Sequence, residues 1–260
     1  MTAGHGTGTG TVLVLGGTAE ARALASALVG AGVPVLSSLA GRVSEPRLPV
    51  GGVRIGGFGG VDGLARFLDG DGIAAVVDAT HPFAARISGN AVEACARAGV
   101  PLLRLARPGW AADPGAARWT WVDDHDQAAV RAAALGRSVF LTTGRQALHH
   151  FTGPLAAHAV LARVVEAVDV GLPPAWTLLR DRGPYTVEGE RALMAGHRID
   201  VLVTKDSGGS HTRAKLDAAR EAGVSVVVVR RPRYASGPHA VVETVPRALE
   251  WLTAALPRRS

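Results

Sequence analysis

Cysteine is nearly absent: one residue in 260, Cys95, which excludes an internal disulfide and any cluster of thiolate metal ligands. In its helical surroundings, Asn90-Ala-Val-Glu-Ala-Cys95-Ala-Arg97, it reads as a small core residue rather than a nucleophile. Lysine is almost as scarce, since only Lys205 and Lys215 among the 28 basic side chains are not arginine. Aromatic residues make up 5% of the chain and are not interleaved with a basic run, so the formal charge of +6 does not describe a nucleic-acid surface. It suits a positive cleft for a small polyanion. No apolar run reaches the length of a membrane span, and Met1 to Gly10 lacks the basic start and apolar stretch of a signal peptide. A soluble, cytoplasmic protein with a fraying amino terminus and no membrane partner is expected. There is no GxSxG elbow, which sets aside a serine hydrolase. No HxxxH or HxH pair lies near acids, and His149 and His150, adjacent in a helical stretch, are expected to point apart; no metal is expected. Tyr185 and Tyr234 are followed four residues on by Gly189 and Pro238, so the Tyr-x-x-x-Lys pair of short-chain dehydrogenases is missing.

What is present is a core and a rhythm. Hydrophobic residues make up 47% of the chain. Strands at 12–15, 34–38, 53–55, 73–78 and 100–105 alternate with helices at 20–29, 61–68 and from about 84 to 98. After the proline-bearing stretch from Arg107 to Ala117 the pattern begins again: helices at 125–135, 187–196 and 213–222, strands at 138–141, 160–165, 175–179, 199–203 and 224–230. This alternation predicts right-handed βαβ units and an α/β fold of two Rossmann-like three-layer domains with mostly parallel sheets, at 11–110 and 118–255, with a ligand cleft between them. In such sheets the ligand lies beyond the carboxyl ends of the strands, where every unusual loop of this sequence falls.

The first of those loops is Gly16-Gly17-Thr18-Ala19-Glu20-Ala21. Pyrophosphate needs backbone N–H groups at close range at a helix start, and Gly16 and Gly17 permit that approach. The motif departs from GxGxxG, with Thr18 at the second glycine position and Ala21 at the third, so a tight turn without a ligand is an equal alternative on this segment alone. About twenty residues later the second strand ends in Ser37-Ser38-Leu39-Ala40-Gly41-Arg42 rather than an acid. An acid would chelate the ribose hydroxyls and repel a 2′-phosphate, whereas serines and an arginine would hold one; the sequence favours NADPH over NADH.

The ordered set VLVLGGTAEAR, SSLAGR, RIGGFGG, DATHPFA, FLTTGRQ, RGPY and VTKDSGG resembles the precorrin-6A reductase family of cobalamin biosynthesis, over about residues 12–232. The resemblance implies NADPH-dependent reduction of one double bond in the precorrin-6A macrocycle, giving precorrin-6B, on two Rossmann-like domains. It makes Gly57, Phe58, Gly59, Ala79, Thr80, His81 and Pro82 further cofactor contacts, beside Gly16, Gly17, Thr18, Ala19, Glu20, Ser37, Ser38 and Arg42. Thr143, Gly144, Arg145, Arg182, Tyr185, Lys205, Asp206, Ser207, Gly208 and Gly209 are then the substrate contacts.

A macrocycle rimmed by acetate and propionate arms also fits the arginine content, with Arg104, Arg145, Arg180 and Arg182 as cleft candidates. Lys205 and His81 are the catalytic candidates. His81 precedes a proline and is held extended, toward a ligand or only tied to the loop backbone. Lys205, a lysine in an arginine-rich chain, either donates a proton or anchors a carboxylate. A cobalt-precorrin-6A reductase and a noncatalytic NADP-binding regulator remain as alternatives.

Overall fold

The computed structural model describes residues 10–41, 47–168, 171–210, 212–233, 237 and 239–256. Its contacts divide the chain into two compact units, Met1–Arg107 with Arg233–Ser260, and Pro108–Pro232. Each is built on a six-stranded sheet in which every strand pair is parallel.

The first sheet contains β1 (Thr11–Leu15), β2 (Val35–Leu39), β3 (Gly52–Ile55), β4 (Ile73–Asp78) and β5 (Leu102–Leu105). Helix α1 (Ala19–Gly30) packs on one face, α2 (Gly60–Gly70) and α3 (Ala85–Ala98) on the other. Residues 12–15 and 75–77 are entirely buried, as strands covered on both faces must be, which is why they read as continuous apolar runs. Cys95 is buried against β4 and β5, where desolvation raises its thiol pKa to about 12; it is a core residue. The second sheet holds β6 (Thr120–Val122), β7 (Ser138–Leu141), β8 (Ala159–Val164), β9 (Trp176–Arg180), β10 (Val201–Lys205) and β11 (Ser225–Val229), with α4 (His125–Leu135), α5 (Val187–Gly196) and α6 (Ala214–Glu221). A short 3-10 helix, Arg145–His150, follows β7.

The last strand, β12 (Ala240–Val242), and the last helix, α7 (Val245–Ala255), correct the sequence division at 118–255. The strand order of the first sheet is β12-β5-β4-β1-β2-β3, and that of the second is β6-β11-β10-β7-β8-β9. Thus β6, which follows β5 in sequence, pairs with β11, while β12, which follows β11, pairs with β5: the two sheets have exchanged their sixth strands. The physical reason is the apolar face of α7. Ala248 and Leu252 bury with Leu24, Leu28, Leu103 and Leu105, so the carboxyl-terminal segment completes the first core. At the other boundary, Pro108, Gly109 and Trp110 belong to the second unit rather than to a domain ending at residue 110.

Candidate functional site

In the first unit, strand order reverses between β1 and β4, the place where open α/β sheets bind ligands. Gly17 takes φ +106°, and a Cβ there would meet nothing within 4 Å, so the backbone is bared toward open space at the start of α1. Thr18 explains the departure from the glycine motif. Its hydroxyl accepts from Ala21 N at 3.1 Å, capping α1, and donates to the Ala79 carbonyl at 2.7 Å, joining the β1 and β4 loops. Ala19 and Glu20 form the first helical turn, but the Glu20 carboxylate pairs with Arg107 at 2.7 Å, so only its backbone is available to a ligand.

A cavity beside this turn is lined by Gly16, Gly17, Ala21, Arg22, Ser37, Leu39, Arg47 and Pro49. The Ser37 hydroxyl is buried there with no hydrogen-bond partner among the described residues, and Ser38 is buried beside it. Arg42 lies outside the described residues. Arg22 and Arg47, not singled out in the sequence reading, are the cations that line the cavity among the described residues. Arg22 could have been found from its place one turn after the Thr18 cap; nothing local marks Arg47.

The glycine-rich loop after β3 is braced rather than loose. Arg54 donates to the carbonyls of Gly56 at 2.7 Å and Gly57 at 2.9 Å, and its guanidinium lies 4.1 Å over the Phe58 ring. Phe58 packs edge-on against Phe67, and its carbonyl fills the space where Gly63 has no side chain. The Phe58 ring is therefore packing, while Gly57 and Gly59 keep open surroundings suited to a ligand.

After β4, Asp78 accepts from Thr80 N and Thr80 Oγ1 and pairs with Arg104 at 2.5 Å. Arg104 also donates to Thr80 Oγ1 and Ser88 Oγ. It is 3% exposed, so it is no cleft residue as the sequence suggested; its planar fork serves the buried loop, because a buried carboxylate needs such a partner. Ala79, Thr80 and Pro82 are buried with it. His81 is half-buried and its Nδ1 accepts from Phe83 N at 3.2 Å, which in a neutral ring leaves the proton on Nε2.

In the second unit the equivalent reversal lies between β7 and β10. Thr143, two residues past β7, is 2% exposed, and its hydroxyl has no hydrogen-bond partner among the described residues. Gly144 follows at φ +85°, and a Cβ on it would lie 4.0 Å from Lys205 Nζ, so the ammonium sits against the β7 loop. Desolvation lowers the Lys205 pKa to about 8. His125, which the sequence reading missed because the three-residue strand before it is hardly recognisable, completes the group. Burial, then the Lys205 charge, then His150 lower its pKa to about 4.

Asp206 turns inward: it accepts from Trp110 N at 2.9 Å and pairs with Arg231 at 3.4 Å, so it shapes the loop instead of facing a polyanion. Ser207 is buried behind a tight turn, with its N–H on the Lys205 carbonyl at 2.6 Å. Gly208 and Gly209 follow at φ +66° and +69°.

Arg145, Arg180 and Arg182 are exposed, and Arg145 reaches the Ala167 carbonyl. Tyr185 is folded back by its own loop. Its hydroxyl donates to the Asp181 carbonyl, and its ring lies 3.8 Å from the Arg163 guanidinium, which pairs with Glu190. Contrary to the sequence expectation, His149 and His150 pack together at 4.0 Å between ring centroids; His150 is held by Asp126 at 2.7 Å. Among the described residues no group of three or more acidic, histidine or cysteine side chains is placed to hold a metal ion.

Two parallel sheets with glycine-lined loops at their strand reversals define the Rossmann class of α/β proteins. The family model described as precorrin-6x reductase CbiJ/CobK matches residues 11–253. A precorrin-6A reductase of Rhodococcus erythropolis is 52% identical over 242 residues, covering 93% of this chain and 96% of the relative. One of Mycobacterium tuberculosis is 51% identical over 249 residues, covering 95% and 99%. A solved structure, CobK precorrin-6A reductase, superposes with a TM-score of 0.86 at 41% identity, covering 95% of this chain and 97% of that one. The chain belongs to the precorrin-6x reductase CbiJ/CobK family. It is an oxidoreductase of cobalamin biosynthesis, and its family implies a reduced nucleotide cofactor.

Proposed function

We propose that the protein reduces one double bond of precorrin-6A to give precorrin-6B, using NADPH. The observation that carries the cofactor choice is the cavity lined by Arg22, Arg47 and the buried Ser37, whose hydroxyl has no partner among the described residues. Two guanidiniums and a hydroxyl fit a 2′-phosphate, and among the described residues no acid lines that cavity to repel it. Gly17, Gly57 and Gly59 would hold the rest of the nucleotide through backbone, with His81 and the buried Thr80 loop toward the reacting end. When bound, the reduced nicotinamide supplies the hydride.

What remains for the protein is orientation, exclusion of water and a proton. The macrocycle gains hydride at one carbon and a proton at its partner, and the cofactor leaves oxidised. Lys205 is the proton donor in this reading. An ammonium with pKa about 8 is still protonated near neutrality yet gives up its proton far more readily than an exposed lysine. Gly144, Thr143 and the Gly208-Gly209 turn would face the carboxylate arms.

Metal-free precorrin-6A is the assigned substrate because the relatives of highest similarity described above carry that name. The test is a titration with NADPH and with NADH, followed by single-turnover absorbance with precorrin-6A and its cobalt complex. Tighter NADPH binding and oxidation with the metal-free ring are expected. Binding without turnover of either ring would leave a nucleotide-binding regulator instead.

A further inference from the structure

The other lysine of the chain lies deep in the same unit. Lys215, in the first turn of α6, is 4% exposed. Its Nζ donates to the Thr212 carbonyl at 2.7 Å and lies 5.4 Å from the Trp110 ring. Trp110 is equally buried, and it grips the same loop at two other points. Its backbone N–H donates to Asp206 Oδ1 at 2.9 Å, and its indole N–H to the Gly209 carbonyl at 3.3 Å. Arg231 holds the Asp206 carbonyl at 3.0 Å, and Arg213 pairs with Asp113. The loop after β10 is thus fixed at Asp206, Gly209, Thr212 and Arg213. Between Asp206 and Thr212 lies the Gly208-Gly209 turn in the left-handed region, built from residues with no intrinsic preference for one backbone conformation. Gly208 is wedged against the Pro108 carbonyl and Arg231, so the loop has no room to relax around a side chain.

We infer that Lys215 and Trp110 are positioning residues: together they hold the loop after β10 in the conformation that receives the carboxylates of the substrate. This rests on the proposed function above, since the loop follows Lys205 at the strand reversal where that reading puts the macrocycle. The choice of lysine also has a reason. A guanidinium cannot shed its charge in a protein, whereas burial brings the Lys215 ammonium down to about 7, with Arg163, Glu190 and Lys205 the charged groups that act on it. As pH rises through about 7, the charge-assisted tether to Thr212 becomes a neutral one and the loop is held less firmly.

The test measures precorrin-6A binding without cofactor, then kcat and KM with NADPH, in the full chain and in Lys215→Met. The dissociation constant for precorrin-6A should rise about tenfold at pH 6.5, the loss of one hydrogen bond to a charged group, with KM following and kcat and NADPH affinity nearly unchanged. The unsubstituted chain should also bind precorrin-6A more weakly as pH rises from about 6 to 7.5, where the substrate's carboxylates are already ionised. Lys215→Met should lack that slope. Native affinity and a retained slope in a folded Lys215→Met overturn the inference. If that variant does not fold, Trp110→Phe keeps an aromatic ring at the site but removes the indole N–H together with part of the ring system; weaker precorrin-6A binding supports the brace, and unchanged binding overturns it. A wild-type chain that neither binds nor reduces precorrin-6A overturns the proposed function itself.

Discussion

Arg47 and Arg22 stand on the cavity that Ser37 also lines, and Arg47 makes a prediction about cofactor choice. Arg47→Ala should weaken NADPH by roughly 1.5–3 kcal/mol, about tenfold to more than a hundredfold, the value of a hydrogen bond to a charged group. NADH binding should be unchanged, and fluorescence titration of both cofactors reads the difference; equal losses would make the arginine structural. Lys205→Ala should leave NADPH affinity intact and lower kcat with KM unchanged, as for a contact made only in the transition state. A rise in KM alone would make Lys205 a carboxylate anchor. In the unsubstituted chain the rate should fall as pH rises through about 8, where the ammonium is lost.

The same buried cations write a sign into stability. Folded Lys205 and Lys215 release their protons near 8 and 7, whereas the unfolded side chains keep them to about 10.5. The unfolded chain binds more protons across that interval, so stability should rise with pH there. Cys95 opposes this above its ordinary value of 9.0, because its folded thiol holds its proton to about 12. Thermal midpoints should therefore climb between about pH 7 and 9, and Lys215→Met should flatten the climb.

Among the elements, α1 shows how a broken motif can still be a working turn. Thr18 replaces a glycine, caps the helix and ties the Ala79 carbonyl, so one hydroxyl serves two loops. Thr18→Ala should lower stability by about 1 kcal/mol, the usual value of a lost cap, and also weaken NADPH binding. Thr18→Ser should keep both. Denaturant unfolding with and without NADPH distinguishes cap from cradle.

Local chemistry also decides which elements could be read from sequence. Helices α4 and α5 begin where Asp124 and Thr186 accept from Gln127 N and Gly189 N, and both match the expected spans because the signal and the element coincide. Strands β6 and β12 have three residues each and are strands because β11 and β5 lie beside them. Helix α7 carries a legible start in the sequence, Thr244 with Pro246 in the first turn. In the candidate site, Gly17 and Lys205 stood out because their residue types are informative where they fall. Arg47 and His125 did not, since only folding brings them to a loop they do not belong to. Arg104 shows the converse: an arginine chosen for its charge is spent on Asp78 inside the core.

At the scale of the molecule, the first sheet depends on sequence that lies beyond the whole of the second unit. A chain ending at Pro232 retains all six strands of the second sheet, while the first loses β12 and the helix that covers Leu103 and Leu105. Such a truncation should abolish NADPH binding in a titration, while the fragment 108–232 keeps helical and sheet circular dichroism. Retained NADPH affinity would show that β5 tolerates life as an edge strand. Among the described residues no helix is long and apolar enough to cross a membrane.

The exchange of sixth strands also sets a timetable for biosynthesis. The unit begun first is finished last, because β12 and α7 leave the ribosome only after the whole of Pro108–Pro232. At typical elongation rates that delay is on the order of ten seconds. Through it, the nascent first sheet presents the unpaired edge of β5, and the later-born unit can close its core before the older one.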